Sequence, residues 1–112
     1  MFSGSARSIT VVGRRMRSRR EELGWSQEKV GVFIGIDESS SRARISRYEL
    51  GVHEPPVATA RLIAEALKVP LAYLFCEDDR MASLLLSLHQ LGDQERAARV
   101  QQFSDMLAEV GT

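Results

Sequence analysis

Apolar residues recur along this chain at the spacing of an α-helix, and the pattern predicts an all-α fold. In the first periodic segment, from about Thr10 to Leu23, Val12 and Met16 fall on one face together with Leu23. Thr10 is suited to the N-cap position, because its hydroxyl can accept a hydrogen bond from the first turn. Runs of strand-favouring residues are scarce, so we expect helices throughout.

The next two predicted helices are short and follow each other closely. Ser26 can cap the second, in which Gly31 costs about 1 kcal/mol relative to alanine. A close approach of another helix would account for this glycine. The third helix is capped by Asp37 or by a following serine, and Ile45 and Tyr48 give it an inward face. The apolar positions of the second helix are Val30, Phe33 and Ile34.

Four further helices complete the pattern. The fourth covers about Val57 to Leu67, and Pro70 begins a short fifth. A sixth extends from about Asp78 to Leu91, and the last begins at Asp93. We expect a flexible N-terminal tail over residues 1–9, a five-helix domain over residues 10–76 and a C-terminal helical hairpin over residues 77–112.

Charge is divided unevenly along a chain whose formal net charge is zero. Residues 1–50 carry a net charge of +4, whereas residues 76–112 carry −4. A basic N-terminal half and an acidic C-terminal segment suit a protein that contacts phosphate through its N-terminal half. Two ordinary solvated surfaces would give the same distribution.

Two segments resemble the Cro/lambda-repressor (XRE) family of helix-turn-helix proteins. They are REELGWSQEKV at residues 20–30 and ISRYELG at residues 45–51. The resemblance covers about residues 10–75 and implies a lambda-repressor-like domain of five helices. It also implies that the chain binds double-stranded DNA, with its third helix in the major groove.

The resemblance implies roles for individual residues. Ser26 and Gln27 match positions that contact phosphate, and we expect Arg44 to contact the DNA backbone as well. Arg42, Ala43 and Arg47 match positions that often contact bases. Arg20 and Glu49 match a buried ion pair that ties the first helix to the third. The alternative for this last pair is two exposed charges.

This chain has about four residues more than the common family spacing between Ile36 and Ile45. Four residues add about 6 Å, or slightly more than one helical turn. We therefore expect a third helix extended at its N-terminus, or a longer turn before it. Ser39 and Ser41 lie in this extra segment and become candidates for reading bases.

The apolar C-terminal helices predict a homodimer. The candidate dimerisation residues are Leu84, Leu85, Leu88, Val100, Phe103 and Leu107. A dimer would present two reading helices to two half-sites, and we expect it to act as a repressor. Two alternatives stay open. The helices could enlarge the core of a monomer, or they could hold a partner protein in an interaction module such as an antitoxin.

Other functional classes find little support in the sequence. Cys76 is the only cysteine, so no disulfide can form within the chain, and we expect a cytoplasmic location. No apolar run approaches the ~20 residues that cross a membrane. His53 and His89 stand far apart without ligand spacing, so we expect neither a metal nor a cofactor. The sequence shows no catalytic nucleophile paired with a general base, so we do not expect an enzyme.

Overall fold

The fold is all-α, as predicted. The computed structural model describes residues 9–111, and the expected N-terminal tail lies outside them apart from the exposed Ile9. Seven helices are the regular elements of the described residues. In chain order they are α1 (Val11–Glu22), α2 (Gln27–Phe33), α3 (Glu38–Glu49), α4 (Val57–Leu67), α5 (Leu71–Phe75), α6 (Asp79–His89) and α7 (Asp93–Val110).

The hydrophobic core is supplied mainly by the first five helices. The largest side chains that are fully buried there include Val12, Met16, Val30, Ile45, Ile63, Leu67 and Leu74. They come from all five helices, so each helix contributes to one continuous apolar interior. Burial of this kind is the main favourable term that holds such a small domain together.

Three helices begin at the N-caps that the sequence indicates. The hydroxyl of Thr10 accepts a hydrogen bond from the Gly13 N–H, and that of Ser26 accepts one from the Lys29 N–H. Asp37, rather than a serine, caps α3. The hydroxyl and the backbone N–H of Ser39 both donate to the Asp37 carboxylate and hold its pKa below the ordinary value. Each cap satisfies a backbone donor that the helix cannot pair itself.

The closest approach of α2 and α3 occurs at Gly31, as the sequence predicts. A Cβ atom added at Gly31 would fall 2.6 Å from the Ser41 hydroxyl oxygen and 2.8 Å from the Ser41 Cα atom. Ser41 is fully buried, and its hydroxyl donates to the Asp37 carbonyl oxygen at 2.9 Å. A glycine and a small serine therefore let these two helices make the most extensive helix contact of the fold.

A second glycine, whose role the apolar periodicity does not indicate, positions the other end of α3. A Cβ atom at Gly13 of α1 would lie 2.6 Å from the carbonyl oxygens of both Tyr48 and Glu49. The backbone of α1 can pass this close only because Gly13 has no side chain. Glycines of two different helices thus set the distance of α3 from the body of the domain.

One expectation for α2 is wrong. Phe33 was predicted on the buried face, but 60% of its surface is exposed. The helix is only seven residues long, and Val30 and Gly31 are the positions that it buries. The Phe33 ring instead lies 6.0 Å from the Trp25 ring, measured between centroids, at the edge of the domain.

The helix α6 is attached to the domain by one face and by an ionic contact. Ala82 is buried, and Leu86 packs against the core. At the start of the helix, the Asp79 carboxylate lies 2.8 Å from Arg14 Nη1 and 2.9 Å from Arg15 Nη2. These hydrogen bonds lower the pKa of Asp79 below its ordinary value. The attachment therefore joins α6 to α1.

The last helix, α7, buries none of its residues. Its packing partner is α6, and Arg96 fixes the corner between the two. The Arg96 guanidinium donates to the carbonyl oxygens of Leu88 at 2.9 Å, His89 at 3.0 Å and Leu91 at 2.7 Å. They lie at the end of α6 or just beyond it, where the helix supplies few further N–H donors, so the arginine stabilises the end of that helix.

Between residues 9 and 111, no helix has the length and apolar character needed to cross a bilayer. In the same range, no three histidine, cysteine, aspartate or glutamate side chains are grouped so that they could hold a metal ion.

The contact between Gly31 and Ser41 gives a first prediction. Gly31→Ala should lower the free energy of unfolding by about 1–3 kcal/mol, because the new methyl group meets backbone and Cβ atoms of α3. Urea denaturation followed by circular dichroism measures this change. The matched control is Gly111→Ala, where the nearest atom to the added Cβ is 3.5 Å away. An unchanged midpoint for Gly31→Ala would contradict the proposed tight crossing.

Candidate nucleic-acid interface

The solvent-facing side of α3 is defined by what the helix buries. Its buried residues are Ser41, Ile45, Tyr48 and Glu49. At 100° per residue, Ala43 points almost directly away from them, and Ser39 and Arg47 lie beside Ala43 on that outer side. All three are exposed. The outer side of α3 therefore combines small side chains with one arginine.

Two more arginines flank this outer side. Arg42 lies toward α1 and the start of α2, where it lines a cleft with Arg17, Ser26 and Gln27. Arg44 lies on the opposite flank, where it lines a groove with Thr59 and Leu62 of α4, among others. Neither arginine makes an ion pair with any residue between 9 and 111. Two uncompensated positive charges therefore stand on either side of α3.

The cleft beside Arg42 is open and largely polar. Its volume is about 610 Å³, and three helices contribute to it. The Ser26 hydroxyl accepts the capping bond from Lys29, but its own proton stays available to an external acceptor. The cleft thus presents arginines and hydrogen-bonding groups, together with the exposed Glu28 carboxylate, next to the outer side of α3.

The predicted ion pair between Arg20 and Glu49 is confirmed. The guanidinium makes two hydrogen bonds to the carboxylate, from Nε at 2.7 Å and from Nη2 at 3.0 Å. Only 13% of the Arg20 side chain and 3% of the Glu49 side chain are exposed, so the alternative of two exposed charges is wrong. The hydrogen bond to Glu49 raises the pKa of Arg20 above its ordinary value. The pair ties α1 to the end of α3, as the resemblance implies.

Two further contacts extend this pair. The Gln27 side-chain amide donates to the Glu49 carboxylate at 3.1 Å, and Arg20 Nη1 donates to the Trp25 carbonyl oxygen at 3.0 Å. Glu49 therefore receives donors from both α1 and α2. A buried carboxylate of this kind needs several donors to offset the loss of water. The Gln27 side chain, predicted to contact phosphate, also has this structural role.

The structure contradicts the predicted DNA contact of Ser41. Its side chain is fully buried, and its hydroxyl donates to carbonyl oxygens just before and at the start of α3. The extra residues form the first turn of α3, not a longer loop, and that turn has an inward side like every other. Ser41 falls on the inward side, whereas Ser39 falls on the outer side.

Sequence reasoning missed two residues of the cleft. Arg17 is half-exposed and pairs with Glu21 at 3.2 Å, and Ser46 of α3 lines the same cleft. Arg17 lies three residues before Arg20, so helical spacing places both on one side of α1. That spacing could have identified Arg17 as a residue of the cleft. Because five arginines lie between residues 14 and 20, the spacing did not distinguish Arg17 from the others.

Comparison with known proteins defines the family. A sequence model of the helix-turn-helix family matches residues 16–74, which is more than half of the chain. The chain belongs to this helix-turn-helix family. The matched range contains α2 and α3, the two helices that form the motif, and most of the rest of the five-helix domain.

Relatives of this helix-turn-helix chain occur in rhizobia. An uncharacterised HTH-type transcriptional regulator of Sinorhizobium medicae is 38% identical over 64 residues, which are 57% of this chain and 43% of that protein. Another, from Sinorhizobium fredii, is 33% identical over 87 residues, which are 78% of this chain and 52% of that protein. The chain therefore spans about half the length of the curated relatives it matches.

A solved structure resembles the chain over most of its length. The crystal structure of the transcriptional regulator BswR superposes with a TM-score of 0.79 at 34% identity. The match covers 87% of this chain and 96% of that one. A match this long includes more than the helix-turn-helix domain alone.

The ion pair beneath α3 gives a second prediction. Glu49→Ala should lower the free energy of unfolding by about 3–5 kcal/mol, because it leaves Arg20 largely buried without its partner. Chemical denaturation measures the loss. The control is Glu21→Ala, which removes an exposed pair with Arg17 and should cost no more than about 1 kcal/mol. Equal effects of the two changes would contradict the structural role of the buried pair.

Proposed function

We propose that this chain binds double-stranded DNA sequence-specifically, as a helix-turn-helix transcriptional regulator that acts as a homodimeric repressor. The observation that carries the proposal is the exposed outer side of α3. Arg47 reaches solvent on this side, and Arg42 and Arg44 reach solvent on its two flanks. None of the three pairs with a carboxylate in the described residues. A guanidinium fork suits both phosphate oxygens and the edge of guanine. Family membership and the names of the relatives support the same function.

The outer side of α3 is the surface that would read bases. A major groove about 12 Å wide admits one helix, and the residues on the outer side of that helix then contact the base edges. Arg47 would donate to O6 and N7 of a guanine. Ala43 would contact a thymine methyl group, and the short Ser39 leaves room for the groove floor to come close.

The flanks of α3 would contact the two walls of the groove. Arg42, together with Arg17 and Ser26, faces one phosphate strand from the cleft, and Arg44 faces the other strand. Gln27 retains a second amide N–H for the same strand as Ser26. Contacts of this kind fix the position and orientation of a protein on DNA without reading its sequence.

A homodimer would present two such helices to one operator. Half-sites about 34 Å apart would then be read together, and occupancy of the operator would repress transcription. Support for a dimer comes from apolar side chains that one chain leaves partly or largely exposed. They are Leu84, Leu85 and Leu88 of α6, and Val100, Phe103 and Leu107 of α7.

The role of Arg47 can be tested on a selected operator. Arg47→Ala should weaken specific binding by about 1–3 kcal/mol and relax the preference at one base pair. A fluorescence anisotropy titration with the operator and with single-base variants measures both effects. Arg61→Ala serves as the control, because Arg61 lies in a different groove beside Lys68 and His89. Unchanged operator affinity for Arg47→Ala would show that α3 is not the reader.

Arg42 should behave differently from Arg47. Arg42→Ala should weaken binding to all duplexes by a similar factor and reduce the slope of log affinity against log salt by about one, since one phosphate contact is lost. Titrations at several salt concentrations measure the slope for wild type, Arg42→Ala and Arg61→Ala. A loss confined to one duplex sequence would assign Arg42 to base reading instead.

A further inference from the structure

Helices α6 and α7 carry apolar stripes of the same spacing. The α6 stripe consists of Met81, Leu84 and Leu88 and is continued by Leu91, two residues beyond the end of the helix. The α7 stripe consists of Val100, Phe103, Leu107 and Val110. Both follow the intervals 3, 4 and 3, which is the spacing of a seam between paired helices. Each stripe extends over eleven residues of sequence. On α7, the ten steps between its ends amount to about 15 Å along the helix. The two stripes therefore match in period.

One chain leaves these stripes largely uncovered. Leu107 and Val110 are 70% and 84% exposed, and Met81 and Leu84 are exposed as well. Contiguous exposed apolar side chains of this extent mark an interaction site, unlike single exposed residues. Leu88 and Leu91 are partly buried, whereas all four residues of the α7 stripe are exposed.

The contact between α6 and α7 leaves every residue of the α7 stripe exposed. The inner face of α6, with Ala82 and Leu86, is already used against the domain. At the corner, Arg96 donates to three carbonyl oxygens at the end of α6 and fixes the first turn of α7 there. The α7 stripe begins one turn beyond this corner, and none of its residues is buried within one chain.

We infer that the α7 stripe of one copy packs against the α6 stripe of a second copy, and the reverse, so that two chains form an exchanged four-helix bundle. The inference rests on the homodimer of the proposed function and adds the surfaces that join it. A second copy is the occupant because the matched stripes lie on the same chain. A twofold arrangement then covers all four stripes at once. Pairing of α7 with α7 alone would leave both α6 stripes in water.

Exchange makes a distinctive prediction for mixtures of variants. Leu84→Asp places a carboxylate in the α6 stripe, and Leu107→Asp places one in the α7 stripe. A dimer of either variant alone therefore contains two disrupted interfaces. In a mixed dimer of the two variants, both substitutions fall in the same interface, and the other interface is fully intact. Both single variants should therefore lose the dimer, and an equimolar mixture should regain it.

The experiment uses the full chain without DNA. Sedimentation equilibrium gives the dimer fraction, and native mass spectrometry with one chain tagged identifies the mixed species. Gln101→Asp introduces the same carboxylate on the opposite side of α7 and should leave the dimer unchanged. Circular dichroism confirms that both stripe variants keep their helices, which is expected because the replaced side chains are exposed.

Several results would overturn the inference. A dimer that survives Leu84→Asp indicates α7 pairing with α7, and a mixture that stays monomeric excludes exchange. A wild-type chain that is monomeric at all concentrations would mean that another partner, such as a different protein, covers the stripes. None of these results touches DNA binding, since affinity for a single half-site duplex is measured separately. If the two variants regain the dimer on mixing but the chain does not bind duplex DNA, the DNA part of the proposal would be refuted instead.

Discussion

The carboxylate of Glu49 is the point on which the arrangement of the first three helices depends. It is buried, it receives two hydrogen bonds from Arg20 of α1, and it receives a third from Gln27 of α2. A charge in such a place is tolerated only when donors surround it. Since Glu49 is also the last residue of α3, any shift of that helix would break contacts with both of its neighbours. The outer side of α3 is therefore held in a defined orientation.

Small residues provide the second constraint on α3. Gly31 and Gly13 bring the backbones of α2 and α1 against it, at Ser41 and at the pair of carbonyls formed by Tyr48 and Glu49. Close backbone approach shortens the distance over which the polar network must reach. The hydrogen bonds and the tight packing thus reinforce each other, and rigid support of this kind is what a surface that contacts DNA needs.

Much of this arrangement could be predicted from the sequence. The seven helices followed from apolar periodicity, and the ion pair followed from a family resemblance whose motif includes both charges. Phe33 and Ser41 were misjudged for different reasons. Periodicity placed Phe33 on an apolar face, but it does not say whether another helix covers that face. Ser41 was assigned to DNA contact from its place in the extra segment, although it lies four residues before Ile45 and so shares the inward face of α3. Gly13 was missed because its importance depends on carbonyl groups 35 and 36 residues further along the chain.

Arg47 on the outer side of α3 and Arg42 and Arg44 on its flanks take no part in the ion pairs or the buried core that hold the domain together. Replacing them would leave the Glu49 network and the glycine crossings untouched. Stability and surface chemistry are therefore separable properties in this domain. It follows that the residues at positions 42, 43, 44 and 47 can be replaced in combination, as in a library of variants, without loss of the stability of the domain.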